Sequence, residues 1–152
     1  MTSEFTIAVH ALVYLRRRGG WLASEQLADN ICTNPARVRK VMAQLAHAGL
    51  IDTREGAVGG YNFSRDAAKV TLKEVGDALA MQYVNSNWRS GKLDCDCLVS
   101  SGMGNVMDGL LHGMNDACGA YLQTVTVADV DHQIFGDLPP DALVQGTQRK
   151  TG

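Results

Sequence analysis

The chain has 152 residues, 45% of them hydrophobic and 20% charged, a composition that excludes a disordered chain and suits one ordinary domain or a small domain with a helical arm. Its longest apolar run, IAVHALVYL, is nine residues long and is followed by RRR, which is too short and wrongly flanked for a membrane span or secretion signal. The net charge of −2 divides unevenly, with eight Lys/Arg against five Asp/Glu in residues 1–65 and six against eleven in residues 66–152, so only the first part has the sign that suits phosphate.

The expectation is a cytoplasmic protein with no membrane partner, whose four cysteines, Cys32, Cys95, Cys97 and Cys118, stay reduced. Their spacing contains no CxxC pair, which gives a structural zinc site no support.

Over residues 4–17, Ile7, Ala8, Ala11, Leu12 and Leu15 recur at helical spacing, and Gly19 and Gly20 stop the helix. Arg16, Arg17 and Arg18 at its end suit either the negative pole of the helix or a DNA backbone. A short helix is predicted from Ser24, read as its N-cap, through Leu27, Ala28 and Ile31. Next comes TNPARVRKVMAQLAHAGL, where Asn34 caps, Pro35 takes the first helical position and Gly49 terminates.

Val38, Val41, Met42 and Leu45 form the buried stripe of that helix. Its opposite face collects Ala36, Arg37, Lys40, Ala43, Gln44 and His47, with Arg39 on the flank. Long donors among small alanines suit a helix seated in a major groove; an ordinary solvated face is the other reading. A short helix, a tight CTN turn and a capped second helix favour the groove, because that is the helix-turn-helix layout.

The stretch REGAVGGYNF lies between strand-like LIDTR and GYNFS, with Tyr61 and Phe63 on one face and Gly56, Gly59 and Gly60 free to take positive φ. It reads as a β wing. No helix starts behind the glycines and no Gly-Lys-Ser/Thr follows, which disfavours a phosphate loop. A glycine-rich tip beside Arg54 suits close approach to DNA, and a purely structural hairpin is the alternative.

Thr71 and Glu74 mark a capped helix with Leu72, Val75, Leu79 and Ala80 on one side. Residues 85–102 lack periodicity and read as a loop. Beyond it, Met107, Leu111, Met114, Cys118, Tyr121 and Val125 are spaced as a heptad seam, beside a small-residue stripe of Gly113, Ala117 and Ala120. So apolar a helix on a small domain is expected to bury itself against a second copy. The fold class is therefore mainly α with a small β wing. Its parts are a winged helix-turn-helix over 1–66, a sensor loop and long dimerisation helix over 67–130, and a flexible tail over 131–152.

Taken in order, TNPARVRKVMAQLAHAGLI, GAVGGY, VTLKEVGDAL and VTVADV resemble the bacterial winged-helix repressors typified by IscR, NsrR and CymR, over residues 1 to about 130. The TNP..VR opening and the single-cysteine CLVS are most similar to the YwnA-type branch. The resemblance implies a homodimeric repressor bound to a double-stranded DNA operator, its long helices forming the interface and its reading helices entering successive major grooves. Arg37, Arg39 and Lys40 then occupy reading positions and Gly59, Gly60 and Tyr61 the wing. Relatives carry arginine six residues before the wing tyrosine, where this chain has Glu55, with Arg54 one earlier.

Iron–sulfur members of the family carry three cysteines ahead of the dimer helix. Here only Cys95 and Cys97 stand there, Asn105 occupies the third place and Cys118 reads as a small buried hydrophobe, so no cofactor is expected. The resemblance also implies thiol sensing by Cys32 and Cys97 of opposite subunits, with Cys95 as resolving thiol. Asp94 and Asp96 are expected to raise both loop thiol pKa values and oppose that role. An iron–sulfur or metal-sensing regulator and a winged-helix protein-interaction module are the alternatives. No enzyme is expected, since His10, His47, His112 and His132 fall in or beside helices and share no motif with a nucleophile.

Overall fold

The computed structural model describes residues 3–139. In chain order these form α1 (Ser3–Arg18), α2 (Ser24–Ile31), α3 (Pro35–His47), β1 (Asp52–Arg54), β2 (Gly60–Asn62), α4 (Leu72–Ala78), α5 (Leu98–Leu122) and α6 (Val127–Phe135). No helix among the described residues is long and apolar enough to cross a membrane.

The first three helices pack around Leu12, Leu15, Leu27, Val38, Val41, Met42 and Leu45, all buried. These are the positions at which the helical period places apolar side chains, and burying each contributes about 1.5–3 kcal/mol. The end of α3 closes as a Schellman turn. Leu50 N–H donates to the Leu45 carbonyl and Gly49 N–H to the Ala46 carbonyl, both at 3.0 Å, with Gly49 at φ +74°.

The antiparallel hairpin pairs Asp52 with Asn62, Thr53 with Tyr61 and Arg54 with Gly60. It has a third member that no sequence pattern marks. Leu22 exchanges two backbone hydrogen bonds with Tyr61, at 3.0 and 2.8 Å, so the segment after α1 seals the hairpin to the helical core. Gly60 makes this possible, since a Cβ there would overlap the Leu22 carbonyl. Gly56 and Gly60 take positive φ as expected, but Gly59 does not; its Cβ would instead overlap the Arg54 carbonyl oxygen.

Several boundaries differ from expectation. Ala23, not Ser24, is the N-cap of α2, and Gln26 Oε1 accepts the Ala23 N–H at 2.8 Å. Helix α4 ends at Ala78; Leu79 is buried just beyond it, while Ala80 is exposed at φ +49°. The predicted loop 85–102 stops at Cys97, the N-cap of α5, so the long helix starts earlier than its seam implied and Val125 lies past its end.

The core also crosses the boundary expected at residue 66: Ala67, Val70, Leu72, Val75, Leu79 and Val127 belong to the same cluster as α1–α3. Backbone bonds from Leu72 N–H to the Val125 carbonyl and from Val127 N–H to the Val70 carbonyl stitch the two ends of this excursion together. Residues 131–135, expected in the tail, complete α6, which Thr126 and Asp129 cap reciprocally. The tail from residue 140 onward lies outside the described residues.

Helix α5 is the exception to the common core. Its only buried residues are Gly104 and Gly119, where it touches its own chain. Asn115 anchors it, accepting the Tyr83 and Val84 N–H groups at 2.7 and 3.0 Å and donating to the Val84 carbonyl at 2.7 Å. Arg89 bonds Asn105 and Asp108 nearer its start.

Candidate nucleic-acid interface and thiol loop

Helix α3 is set up for display. Asn34 Oδ1 accepts the Arg37 N–H at 2.9 Å, with Pro35 at the first helical position, so the cap residue of the expected DNA set is occupied in holding the helix. Ala36, Arg37, Arg39, Lys40, Ala43 and His47 are exposed, and the helix contains no carboxylate. Gln44 departs from the predicted face. Its side-chain oxygen is buried without a hydrogen-bond partner among the described residues, although the residue as a whole is partly exposed.

The exposed cations are steered by neighbouring helices. Lys40 pairs with Glu4 of α1 at 2.8 Å, Arg39 with Glu25 of α2 at 3.5 Å, and Arg37 reaches the hydroxyl of Ser3. Such solvent-exposed contacts are weak, and they aim the side chains more than they stabilise the fold. The first turns of α1 and α2 thus frame the outward face of α3, a contribution that the sequence period alone does not expose.

At the hairpin, Tyr61 is partly buried and its hydroxyl pKa is raised by desolvation, with Arg39 opposing. Arg54 is exposed but folded back along the hairpin. Its guanidinium lies over the Trp21 ring, 4.4 Å from the centroid, and donates to the Val58 carbonyl. Of the three arginines ending α1, Arg16 and Arg17 turn from the DNA-backbone reading to Asp131 of α6.

The thiols sit elsewhere. Cys32 is exposed at φ +64°, closing α2 just before α3. Exposed Cys97 caps α5, and the N–H groups of Ser100 and Val99 lower its pKa. The Cys97 N–H and the Ser100 hydroxyl lower that of Cys95. Asp94 and Asp96 are expected to raise both values, whereas the amides at the start of α5 and the Ser100 hydroxyl lower them.

The residues expected to form a dimer seam divide by exposure. Met107, Met114 and Tyr121 are exposed, whereas Leu111 and Cys118 are half-buried against their own chain. The solvent-facing row runs Met103, Met107, Leu110, Met114, Ala117 and Tyr121.

A helix-turn-helix with a hairpin wing and a displaced long helix is a known arrangement, and a family model described as Rrf2, iron-dependent transcriptional regulator, matches residues 1–133. The chain belongs to the Rrf2 family of transcriptional regulators. It is 26% identical over 141 residues to YwnA of Bacillus subtilis (strain 168), a candidate HTH-type transcriptional regulator, covering 89% of this chain and 99% of that one. In fold it resembles a crystal structure of a candidate transcriptional regulator from Lactobacillus plantarum (TM-score 0.79, 22% identity, 99% of this chain and 100% of that one). It also resembles CymR, the global cysteine regulator of B. subtilis (TM-score 0.63, 15% identity, 88% and 96%). These relatives are regulators, and the chain is not an enzyme.

The iron dependence in the family's description does not fit the donors of this Rrf2 chain. Among the described residues no three His, Cys, Asp or Glu side chains converge as metal ligands, and Cys95 and Cys97 supply two thiols where a cluster takes four ligands.

Proposed function

We propose that this Rrf2 regulator acts as a homodimer that represses transcription from an operator with two half-sites. The observation that carries the reading is the outward face of α3, where Arg37, Arg39 and Lys40 stand exposed among Ala36 and Ala43 with no acid on the helix. Arginine bridges guanine O6 and N7, lysine meets phosphate or guanine, and the alanines permit close approach. Arg54, Gly59, Gly60 and Tyr61 belong to the wing's share of the contact, Gly59 and Gly60 through backbone approach and Tyr61 through the hairpin it holds. Exposed Met107, Leu110 and Met114 supply the apolar surface for a partner copy.

Thiol control is part of the same reading. Cys97, with its lowered pKa, is the attacking thiol; an oxidant such as a peroxide takes it to the sulfenic acid. Cys32 of the other subunit then displaces water to form a disulfide, or Cys95 does so within the loop. A bond at Cys32 pulls on the turn that aims α3.

Selection of bound sequences from a random duplex pool, followed by footprinting with and without peroxide, tests all three parts. The expected result is an enriched site whose half-sites lie about one helical turn, or a multiple, apart. Peroxide is expected to release it, together with a dimer band on non-reducing electrophoresis that Cys32→Ser removes. Weak binding with no enriched sequence would favour a protein-interaction module instead, and a dimer band that persists in Cys32→Ser refutes the intersubunit pairing.

A further inference from the structure

The Trp21 ring meets the Arg54 guanidinium beside the hairpin, 4.4 Å from its centroid. Trp21 follows the Gly19-Gly20 turn, where both glycines adopt positive φ, and precedes Leu22, whose two backbone hydrogen bonds to Tyr61 fix its register against β2. The ring is thereby placed by main-chain bonds. Arg54, paired with Gly60 across the hairpin, lies over that ring and bonds back to Val58 at the tip.

We infer that Trp21 is a positioning residue for the wing's contact with DNA, holding the Arg54 guanidinium against the hairpin so that its charge enters a narrow minor groove with the tip. This inference rests on the DNA-binding reading above. The manner of holding matters. Arg16 and Arg17 are held by Asp131, Arg65 by Glu74 and Arg39, in an exposed pair, by Glu25, each carboxylate offsetting part of the charge it meets. Among the described residues no carboxylate pairs with Arg54; an aromatic face and a carbonyl hold it, and neither neutralises it. Stacking restricts the side chain while leaving most of its N–H donors and its full charge for the ligand. Narrow A·T-rich minor grooves concentrate the negative potential that attracts such a cation. Val58, 78% exposed beside it, gives the tip an apolar edge for the sugar walls.

The experiment uses the full chain and the duplex enriched from the random pool, prepared with either A·T or G·C pairs at the steps the wing covers. Trp21→Leu, which keeps an apolar side chain and loses the ring face, is expected to weaken binding to the A·T duplex by about two- to fivefold, the scale of one exposed cation–π contact. Binding to the G·C duplex should change less, so the ratio between duplexes narrows; Trp21→Phe should restore it. The salt dependence should stay unchanged in Trp21→Leu and drop by about one phosphate's worth in Arg54→Ala. In the Arg54→Ala background, Trp21→Leu should cost nothing further.

Equal weakening on both duplexes, or the same cost with and without Arg54, would overturn the inference and leave Trp21 a packing residue. Should the wild-type chain enrich no sequence at all, the DNA-binding reading falls first and takes this one with it. An enriched site with additive variants sinks this one alone. Trp21→Phe also covers the event that Trp21→Leu fails to fold, since Phe retains the stack and must then preserve the A·T preference.

Discussion

Arg17 of α1 grips Asp131 of α6 with two parallel hydrogen bonds, Nε to Oδ1 at 2.7 Å and Nη2 to Oδ2 at 2.8 Å, across 114 residues of sequence. Both side chains are buried, Arg16 adds a third contact at 3.3 Å, and the Arg17 guanidinium lies 3.8 Å from the centroid of the Phe135 ring. Helix α6 is therefore locked onto α1, and the C-terminal part of α5 is held to its own chain by Asn115 and, through α6, by Arg17.

Removing one partner of such a buried pair leaves an uncompensated charge. Asp131→Ala is accordingly expected to destabilise the chain by about 3 kcal/mol, read as a shift in the urea midpoint. The double replacement Arg17→Met with Asp131→Leu should cost much less, because no charge is then left unpaired. Equal losses in the two variants would mean that packing, not the pair, holds α6.

How much of this was legible follows from how local each signal is. Asn34, Pro35 and Gly49 bound α3, and Thr71 with Glu74 opens α4, within four residues of the structure they specify; these elements could be read directly. The start of α5 could not, since its cap, Cys97, is not one of the side chains that ordinarily mark a helix start. Thr126 and Asp129 do mark α6, a local signal that carries the helix past residue 130, where the tail was expected to begin. Which row of α5 stays exposed could not be read locally, because apolar residues stand on more than one side of the helix. Which row turns inward is decided by Asn115, Gly104 and Gly119 meeting residues far away in sequence. Trp21 and Leu22 carry no period at all, and only the folded hairpin shows that they complete it.

Glu4 restrains Lys40 on the face of α3. Glu4→Gln is expected to leave stability within about 1 kcal/mol, because the pair is exposed. It should nonetheless raise affinity for random-sequence DNA and steepen the salt dependence by up to about one phosphate equivalent. Fluorescence anisotropy at several salt concentrations measures both. A slope identical to wild type would place Lys40 outside the backbone contact.

Leu110 and Leu111 are adjacent yet face different ways, the first 55% exposed and the second half-buried. Leu110→Asp is expected to abolish self-association, seen by sedimentation velocity, while leaving the melting temperature of the monomer close to that of the parent. Leu111→Asp puts a charge where α5 meets its own chain and should lower the melting temperature as well. Loss of association from Leu111→Asp alone would return the interface to the row first expected from the heptad.

Cys97 has its thiolate stabilised by the Ser100 and Val99 N–H groups, so its folded pKa lies below the ordinary thiol value. The sign follows directly: at neutral pH a larger fraction is thiolate in the folded chain than in the unfolded one. In a variant with Cys32, Cys95 and Cys118 changed to Ser, the pH midpoint of iodoacetamide alkylation is expected to fall below that of the same chain in denaturant. Neither donor to Cys97 comes from a substituted side chain, so the comparison isolates the start of α5. Coincident midpoints would remove the electrostatic basis for Cys97 as the attacking thiol, and with it the order of events proposed for oxidation.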